Sequence, residues 1–432
     1  MGGIGGGVVG DRAGAGSGGV GGLDAEVRRN TLVLAVCLAL GWTVAQLMAA
    51  LSSVTFGTLS GAAAAGVAPA VFLGGSALAG IVGGRVMDRF GRRVGVRLGF
   101  IVAAVAALGI SLATRGGSAP FFLVALAVLG LGFGSLNLAR TAAADMYPPE
   151  RRGRGIAYVL VGAAFGAIGS PILFSPLLAG VRSDDLAGLA TPWLPAVGIL
   201  VVGAALTYLM RIDPMEIGRR LDTARAAAAA EPGAAASALP PAVGRRMVIA
   251  AIAVAGTAQA VMSSMMTLAA LVMIDHGHDL AAVSIAISAH FLGMFALVLV
   301  VGRIVDRFGR VRSLVTGLIV MAGGVLAFLP GGELVTILPG MFFIGLGWNL
   351  GFVAATALLS DAAPAGERAR LLGLADFLGV GASALLAISG AAILDAAGIV
   401  PVALGAALLA LAPLAVLPAL VGRPPTLEQA RP

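Results

Sequence analysis

Two ionisable side chains lie inside long apolar stretches of the chain. His290 stands nine residues after Ala281 in AAVSIAISAHFLGMFALVLVV, and Asp376 lies in the stretch that begins near Leu371. Ionisable residues within a membrane are costly and rare, and they mark proton or substrate pathways. An imidazole or a carboxylate there can carry a proton, so both residues are candidates for proton coupling. The alternatives are a neutral imidazole hydrogen-bonded to a neighbouring helix and a carboxylate paired with an Arg near one membrane face.

A charged phrase occurs twice in this apolar chain. GRVMDRFGRR at 84–93 returns 218 residues later as GRIVDRFGR at 302–310. Two further matches follow in the same order: GLGF at 130–133 with GLGW at 345–348, and DMYPPER at 145–151 with DAAPAGER at 361–368. Three ordered matches predict two duplicated halves in the same orientation. This is a known transporter plan, with the substrate bound at the midplane between the halves.

The composition excludes an ordinary soluble protein. Of 432 residues, 59% are hydrophobic and 11% are charged, whereas soluble domains carry about 25% charged residues. Apolar runs long enough to cross a bilayer recur along the whole chain. Twelve spans are predicted, at 31–53, 60–83, 94–114, 119–139, 155–180, 194–211, 246–273, 281–301, 313–329, 335–358, 371–394 and 400–421.

The basic residues predict the orientation of these spans. All 28 are Arg, and with the N-terminus inside, all but Arg115 and Arg182 fall in cytoplasmic segments. This bias follows the positive-inside rule and predicts an inner-membrane protein with both termini in the cytoplasm. The Arg residues lie in short clusters between apolar runs, which argues against a surface for nucleic acid.

The same boundaries divide the chain into five segments. We expect a disordered Gly-rich tail at 1–30, a first six-helix half at 31–211, a cytoplasmic linker at 212–245, a second half at 246–421 and a cytoplasmic tail at 422–432. Cys37 is the single cysteine, and no Cys/His spacing typical of a metal site occurs. No GxxxxGK[ST] phosphate loop occurs either, so an ion gradient should supply the energy. No cofactor, metal or enzymatic activity is predicted.

The phrase GRVMDRFGRR resembles the signature loop of the major facilitator superfamily. In that family the loop joins helices 2 and 3, and a weaker copy joins helices 8 and 9, which are the places where the two phrases lie here. The resemblance covers residues from about 30 to 421. It implies an all-α integral membrane protein with twelve transmembrane helices in two pseudo-symmetric six-helix halves. It also implies a monomeric secondary transporter that moves a small solute across the bilayer by alternating access.

The resemblance assigns the repeated phrases to a cytoplasmic gate that opens and closes between the halves. In the family the loop Asp lies at the N-terminus of helix 11, and a loop Arg pairs with an acid at the end of helix 4. Gly84 is expected to end helix 2, and Gly91 to permit a sharp turn. The alternative is that the Arg residues only anchor the topology. The predicted gate residues are Gly84, Asp88, Arg89, Gly91, Arg92, Arg93, Asp145, Gly302, Asp306, Arg307, Gly309, Arg310 and Asp361.

Uncharged polar and aromatic residues near mid-span are candidates for the substrate cavity, because the resemblance places their helices around it. These candidates are Trp42, Gln46, Gln259, Trp348 and Asn349. Their alternative role is hydrogen bonding or packing between helices. No Arg lies at the same depth to hold a phosphate or carboxylate. We therefore expect a neutral, cationic or amphipathic solute.

The direction of transport is predicted from the fifth span. The segment GAIGSP at 166–171 resembles the Gly-Pro motif of drug/proton antiporters, although it departs from that motif at Ser170 and at Phe174-Ser175. This similarity favours proton-coupled export. The alternatives are a symporter that takes up a small metabolite and, as a minor one, a membrane sensor that transports nothing.

Overall fold

The computed structural model describes residues 17–61, 64, 67–178, 181–182, 184–229, 241–277, 280–331, 333–364 and 366–421. No β-strand occurs in these segments. They form sixteen α-helices: α1 (Ser17–Ser60), α2 (Val67–Phe90), α3 (Arg92–Arg115), α4 (Ala119–Asn137), α5 (Ala139–Met146), α6 (Arg152–Leu178), α7 (Leu186–Ala190), α8 (Trp193–Leu206), α9 (Pro214–Ala229), α10 (Pro241–Asp275), α11 (Leu280–Phe295), α12 (Val298–Phe308), α13 (Arg310–Leu326), α14 (Leu334–Ala362), α15 (Arg368–Ala397) and α16 (Ile399–Val421).

These helices form twelve membrane spans, as predicted. Nine stretches of the described chain are long and apolar enough to span a membrane, and the pair α11 and α12 gives a tenth, bent by 40°. The helices α13 and α16 provide the remaining two. Six spans come from α1–α8, where α4 with α5 and α7 with α8 each form one, and six come from α10–α16. The predicted all-α fold in two six-helix halves is confirmed.

Packing repeats between the halves. In the first half α1 packs on α6, and α4 packs on both α2 and α3; in the second, α10 packs on α15, and α14 packs on both α11 and α13. The halves meet where α2 packs on α15 and α12 packs on α6. Glycine makes this approach possible, since a Cβ on Gly373 would overlap the carbonyl group of Gly80. Small residues at such contacts are typical of packed membrane helices.

The prediction that Gly84 ends helix 2 is wrong. Helix α2 continues to Phe90, and the turn is made by Gly91 at φ +97°. A Cβ on Gly84 would lie 2.8 Å from the carbonyl oxygen of Ala369. Gly84 is therefore required by the close approach of α15 and not by a turn. The second phrase has the same turn, at Gly309 with φ +88°.

The terminal and linker segments differ in part from expectation. Helix α1 begins at Ser17, so residues 17–30 of the tail expected to be disordered are helical. The linker at 212–245 contains helix α9 and the first turn of α10. Residues 1–16, the Ala/Pro-rich residues 230–240 and the tail at 422–432 lie outside the described residues.

Candidate functional site

Asp145, at the end of α5, is a buried carboxylate between two arginines from different halves. Arg92 Nε donates to Asp145 Oδ2 at 2.8 Å, and Arg368 Nη1 donates to Oδ1 at 2.8 Å. Arg92 Nη1 also donates to Asp88 at 2.5 Å. We call these four residues the Asp145 cluster. Because Arg368 begins α15, the cluster ties the two halves together through charge-assisted hydrogen bonds.

Asp88 adds a second link from the first half to α15. Its carboxylate accepts hydrogen bonds from the backbone N–H groups of Ala369 at 3.3 Å and Arg370 at 2.9 Å, in the first turn of that helix. A carboxylate at a helix N-terminus meets unpaired N–H groups and a partial positive charge. The interaction is worth about 0.3–1 kcal/mol, and up to about 2 kcal/mol when partly buried.

A second cluster repeats this arrangement with the halves exchanged. Asp361, at the end of α14, accepts a hydrogen bond from Arg310 Nε at 2.9 Å and another from Arg152. Arg152 begins α6 in the first half, and Arg310 also donates to the carbonyl oxygen of Pro149. We call Arg152, Asp306, Arg310 and Asp361 the Asp361 cluster.

Asp306 occupies the place in this cluster that Asp88 holds in the first. Its carboxylate accepts hydrogen bonds from Gly153 N at 2.9 Å and Arg154 N at 3.0 Å, in the first turn of α6. Arg154 Nε adds a third hydrogen bond at 3.1 Å. Gly302 lies beside this helix start, since a Cβ there would be 2.8 Å from the carbonyl oxygen of Gly153.

Two arginines that bridge the halves, Arg152 and Arg368, were absent from the predicted gate. They are 216 residues apart, the same offset that separates Asp145 from Asp361. That shared offset could have identified Arg152 and Arg368 as equivalent residues of the two halves. Sequence reasoning had counted Arg152 only as a marker of membrane orientation and had matched Arg368 with Arg151 in the repeat.

The other predicted gate arginines have separate surroundings. Arg93 Nη1 donates to the carbonyl oxygen of Met210 at 2.7 Å. Arg89 lies over the ring of Phe90 at 5.3 Å, and Arg307 lies over Phe308 at 5.7 Å. All of them lie at the end of the bundle that carries residues 84–93 and 302–310, which we call the arginine-rich face.

Two acidic residues of the linker, Asp213 and Asp222, contact the Asp145 cluster. Asp213 accepts hydrogen bonds from the backbone N–H groups of Arg92 at 3.1 Å and Arg93 at 2.9 Å, and so caps α3. On α9, Asp222 lies 3.4 Å from Arg368 Nη2. Neither contact was predicted from the sequence. Through them the linker is attached to the start of α3 and to the Asp145 cluster.

A central cavity of about 170 Å³ lies between the halves. Of the five predicted cavity residues, Trp42, Gln259 and Trp348 line it, while Gln46 and Asn349 do not. Asn349 is 1% exposed, and neither polar atom of its side chain has a hydrogen-bond partner among the described residues. Trp348 Nε1 donates to Gln259 Oε1 at 2.9 Å, and Gln259 Nε2 donates to Ser263 Oγ at 2.9 Å. These bonds fix the orientation of the indole.

An ion pair between the halves forms the wall of the cavity nearest the arginine-rich face. Arg140 Nη2 on α5 donates to both carboxylate oxygens of Asp376 on α15, at 2.6 and 2.7 Å. The Arg140 side chain is 3% exposed and that of Asp376 is 27% exposed. The guanidinium carbon of Arg140 lies 4.3 Å from the centre of the Phe352 ring. The carboxylate is thus the more accessible partner of the pair.

His290 lies outside this cavity. It is fully buried on α11, and its Nδ1 lies 3.1 Å from the carbonyl oxygen of Met341 on α14. Its Nε2 has no hydrogen-bond partner within the described part of the chain. This geometry matches the alternative of an imidazole bonded to a neighbouring helix. The two proton-coupling candidates are therefore not brought together.

The fold and site can be compared with known proteins. The family model of the Major Facilitator Superfamily matches residues 31–270 and 249–432. The chain is 31% identical to the uncharacterized MFS-type transporter YdeG of Bacillus subtilis (strain 168), over 76% of this chain and 75% of that protein. It is 28% identical to the riboflavin transporter RfnT of Brucella anthropi, over 86% of this chain and 90% of that protein.

Two solved structures share the fold. The proton:xylose symporter XylE matches with a TM-score of 0.69 and 16% identity, over 92% of this chain and 96% of that one. The E. coli fucose:proton symporter FucP matches with a TM-score of 0.66 and 17% identity, over 91% and 98%. At these identities the likeness concerns the arrangement of the helices.

Proposed function

The chain belongs to the Major Facilitator Superfamily, and on that premise we propose that it exports a small amphipathic solute in exchange for protons. The family fold supports secondary transport, in which a central site is exposed to each side of the membrane in turn. We assign the arginine-rich face to the cytoplasm by the positive-inside rule. The protein is then a monomer in the inner membrane, with both termini in the cytoplasm.

The ion pair between Arg140 and Asp376 is the observation that carries proton coupling. It joins the two halves at the cavity wall, and its carboxylate is the more exposed partner. Removing one partner of a buried ion pair costs about 3–5 kcal/mol, because the other charge stays buried and uncompensated. A proton on Asp376 removes the charge that holds Arg140. Protonation therefore weakens a link that must break when the cavity opens to the cytoplasm.

Of the two candidates for coupling, we assign the role to Asp376. His290 on α11 packs against α14, and its Nδ1 is hydrogen-bonded to a backbone carbonyl of its own half. A group without access to the cavity or to a contact between the halves has no direct way to link protonation to opening.

The two ion clusters are proposed as the cytoplasmic gate. In each cluster a carboxylate of one half binds the start of a helix in the other half. Asp88 on α2 binds the start of α15, and Asp306 on α12 binds the start of α6. With these bonds formed, the cavity is closed towards the arginine-rich face. Because the same bonds must break for inward opening, they stabilise the outward-facing state relative to the inward-facing one.

Uptake of a metabolite is the second candidate function. The relative named a riboflavin transporter covers most of this chain, which favours a metabolite as the solute. The Gly- and Pro-containing segment of α6 at 166–171 favours export, by its similarity to the antiporter motif. The two functions differ in the direction of proton movement relative to the solute.

Proteoliposomes with an imposed pH gradient distinguish these functions. Riboflavin and a panel of amphipathic aromatic amides are offered outside the vesicles. Antiport drives accumulation when the lumen is acidic, because protons leave as the solute enters, whereas symport requires an alkaline lumen. Nigericin, which dissipates the pH gradient, should abolish accumulation in either case. Accumulation that is indifferent to the gradient would contradict proton coupling.

A further inference from the structure

We propose that the cavity selects a planar, fused-ring aromatic solute with a neutral hydrogen-bonding edge. This inference rests on the proposed function in that it concerns the same cavity. It adds the chemical class of the solute, which neither the fold nor the ion pairs specify.

Aromatic side chains from both halves line the cavity. The first half contributes Trp42 and Phe133, and the second contributes Phe295, Trp348 and Phe352. A flat ring system gains from such walls, because aromatic pairs add an oriented attraction to the burial of apolar area. The two halves would both contact a solute held between them.

The two tryptophans are held in fixed orientations. Trp42 makes edge-to-face contacts with Phe133 at 5.4 Å and with Phe295 at 5.6 Å between ring centres. Trp348 stacks on Phe352 at 4.4 Å with an interplanar angle of 20°, and its Nε1 donates to Gln259. Rings held in place before binding favour a rigid partner, since little conformational freedom is lost on association.

The charges at the cavity favour a solute without net charge. Arg140 and Asp376 are bonded to each other through both carboxylate oxygens, so the pair has no net charge. A carboxylate or phosphate would have to displace Asp376 from Arg140. The remaining polar groups on the wall include the amides of Asn137 and Gln259 and the hydroxyl of Ser76. These groups suit an amide-like edge on an otherwise apolar molecule.

The same wall disfavours a sugar. A monosaccharide carries hydroxyl groups around its ring, and each one needs a partner when it leaves water. Here the lining is mostly aromatic and aliphatic, with Met262 and Met294 among the apolar residues. Thioether side chains adapt to irregular apolar shapes. The likeness in fold to two sugar symporters therefore does not favour a sugar as the solute.

A matched pair of compounds tests the inference. 2-Naphthamide is planar and aromatic, and its decahydro analogue has the same carbon skeleton and carboxamide but is saturated and puckered. Binding of each to the full chain in detergent is measured by isothermal titration calorimetry without a pH gradient. We expect the aromatic compound to bind about tenfold more tightly. Equal affinity, tighter binding of the saturated compound or no binding of either would overturn the inference.

Variants locate the selectivity. Trp42→Leu and Trp348→Leu should each reduce the preference for 2-naphthamide by several-fold, whereas Phe343→Leu should leave it unchanged. Phe343 is the control because it lies on α14, is exposed and does not line the cavity. Thermal melting of each variant establishes that the protein is folded. Unchanged preference in both Trp variants would also overturn the inference.

Transport measured in parallel separates this inference from the proposed function. If 2-naphthamide binds selectively but no tested solute accumulates in response to a pH gradient, the proposed function fails and the cavity assignment stands. If the saturated compound is accumulated as well as the aromatic one, transport stands and the inference fails.

Discussion

Arg368 and Asp145 belong to different halves of the chain and meet through a 2.8 Å hydrogen bond between Nη1 and Oδ1. Both side chains are almost completely buried. The same relation recurs with the halves exchanged, between Arg152 and Asp361. Each half thus supplies the arginine of one bond across the interface and the carboxylate of the other, so that a single duplicated element provides both links.

Asp145→Asn should open the arginine-rich face, because it removes the charge shared by Arg92 and Arg368. Loss of one partner from a buried pair costs about 3–5 kcal/mol. In a Cys37→Ser background, a cysteine at Asn137 reports access to the cavity from that face. We expect its labelling by a membrane-impermeant maleimide to become at least about tenfold faster in the variant, a difference of about 1.4 kcal/mol or more.

Asp184→Asn is the matched control for this labelling. It removes a carboxylate from an exposed ion pair with Arg182, and exposed pairs contribute little to stability. The labelling rate should stay at its original value. A rate for Asp145→Asn no higher than for this control would contradict the proposed gate.

Asp88→Asn should lower transport while the amount and membrane insertion of the protein stay near normal. The substitution keeps the size of the side chain but removes the negative charge at the start of α15. That charge is worth about 0.3–2 kcal/mol to the closed gate. Transport in proteoliposomes, normalised to the amount of protein, measures the effect. Transport equal to that of the unmodified protein would rule out a role for Asp88 in the gate.

Asp376→Asn should abolish accumulation driven by a pH gradient and preserve exchange of labelled for unlabelled solute. An amide is neutral and does not take up a proton in this pH range, so the contact with Arg140 no longer responds to pH. Asp376→Glu should retain part of the gradient response. The decisive comparison is the ratio of gradient-driven accumulation to exchange; a normal ratio in the Asn variant would place the coupling group elsewhere.

His290→Gln should leave the pH response of transport within about twofold of normal and lower thermal stability. The loss of one buried hydrogen bond costs about 1 kcal/mol, and more if a polar group is left unpaired. Transport at several pH values and a thermal melt are measured on the same preparation. A flattened pH profile with an unchanged melting temperature would return the coupling role to His290.

Asp213→Ala should destabilise the start of α3, since Asp213 accepts hydrogen bonds from the backbone N–H groups of Arg92 and Arg93. Loss of a capping side chain costs about 0.5–2 kcal/mol. A lower melting temperature is expected for Asp213→Ala than for Glu216→Ala. Glu216 is a suitable comparison because it pairs with Arg220 in an exposed ion pair.

The fold was predictable from features that can be counted along the sequence. Apolar length predicts the spans, and the repeated phrases predict the two halves. The failed or incomplete predictions concern contacts between residues that are distant in the sequence. Gly84 was assigned to a helix end, although a glycine required by a close helix contact looks the same in sequence.

The cavity residues show the same limit. Depth along a span can be counted, so His290, Asn349 and Gln46 could be assigned to mid-span positions from the sequence. Membrane helices that are apolar on all sides give no periodic pattern to show which face meets the cavity. Only the packing reveals that His290 faces α14 and that Trp42 and Trp348 face the cavity. The partner of Asp376 could not be predicted from the sequence either, since Arg140 is 236 residues away.

The two clusters are unequally exposed to water. Arg92 and Asp145 are fully buried beneath residues 213–222, whereas the side chains of Arg310 and Asp361 are 14% and 21% exposed. Arg310 and Asp361 are more accessible to water, which screens their charges more strongly. We therefore expect the bonds of the Asp361 cluster to break before those of the Asp145 cluster. The halves would then separate by rotation about an axis near the Asp145 cluster.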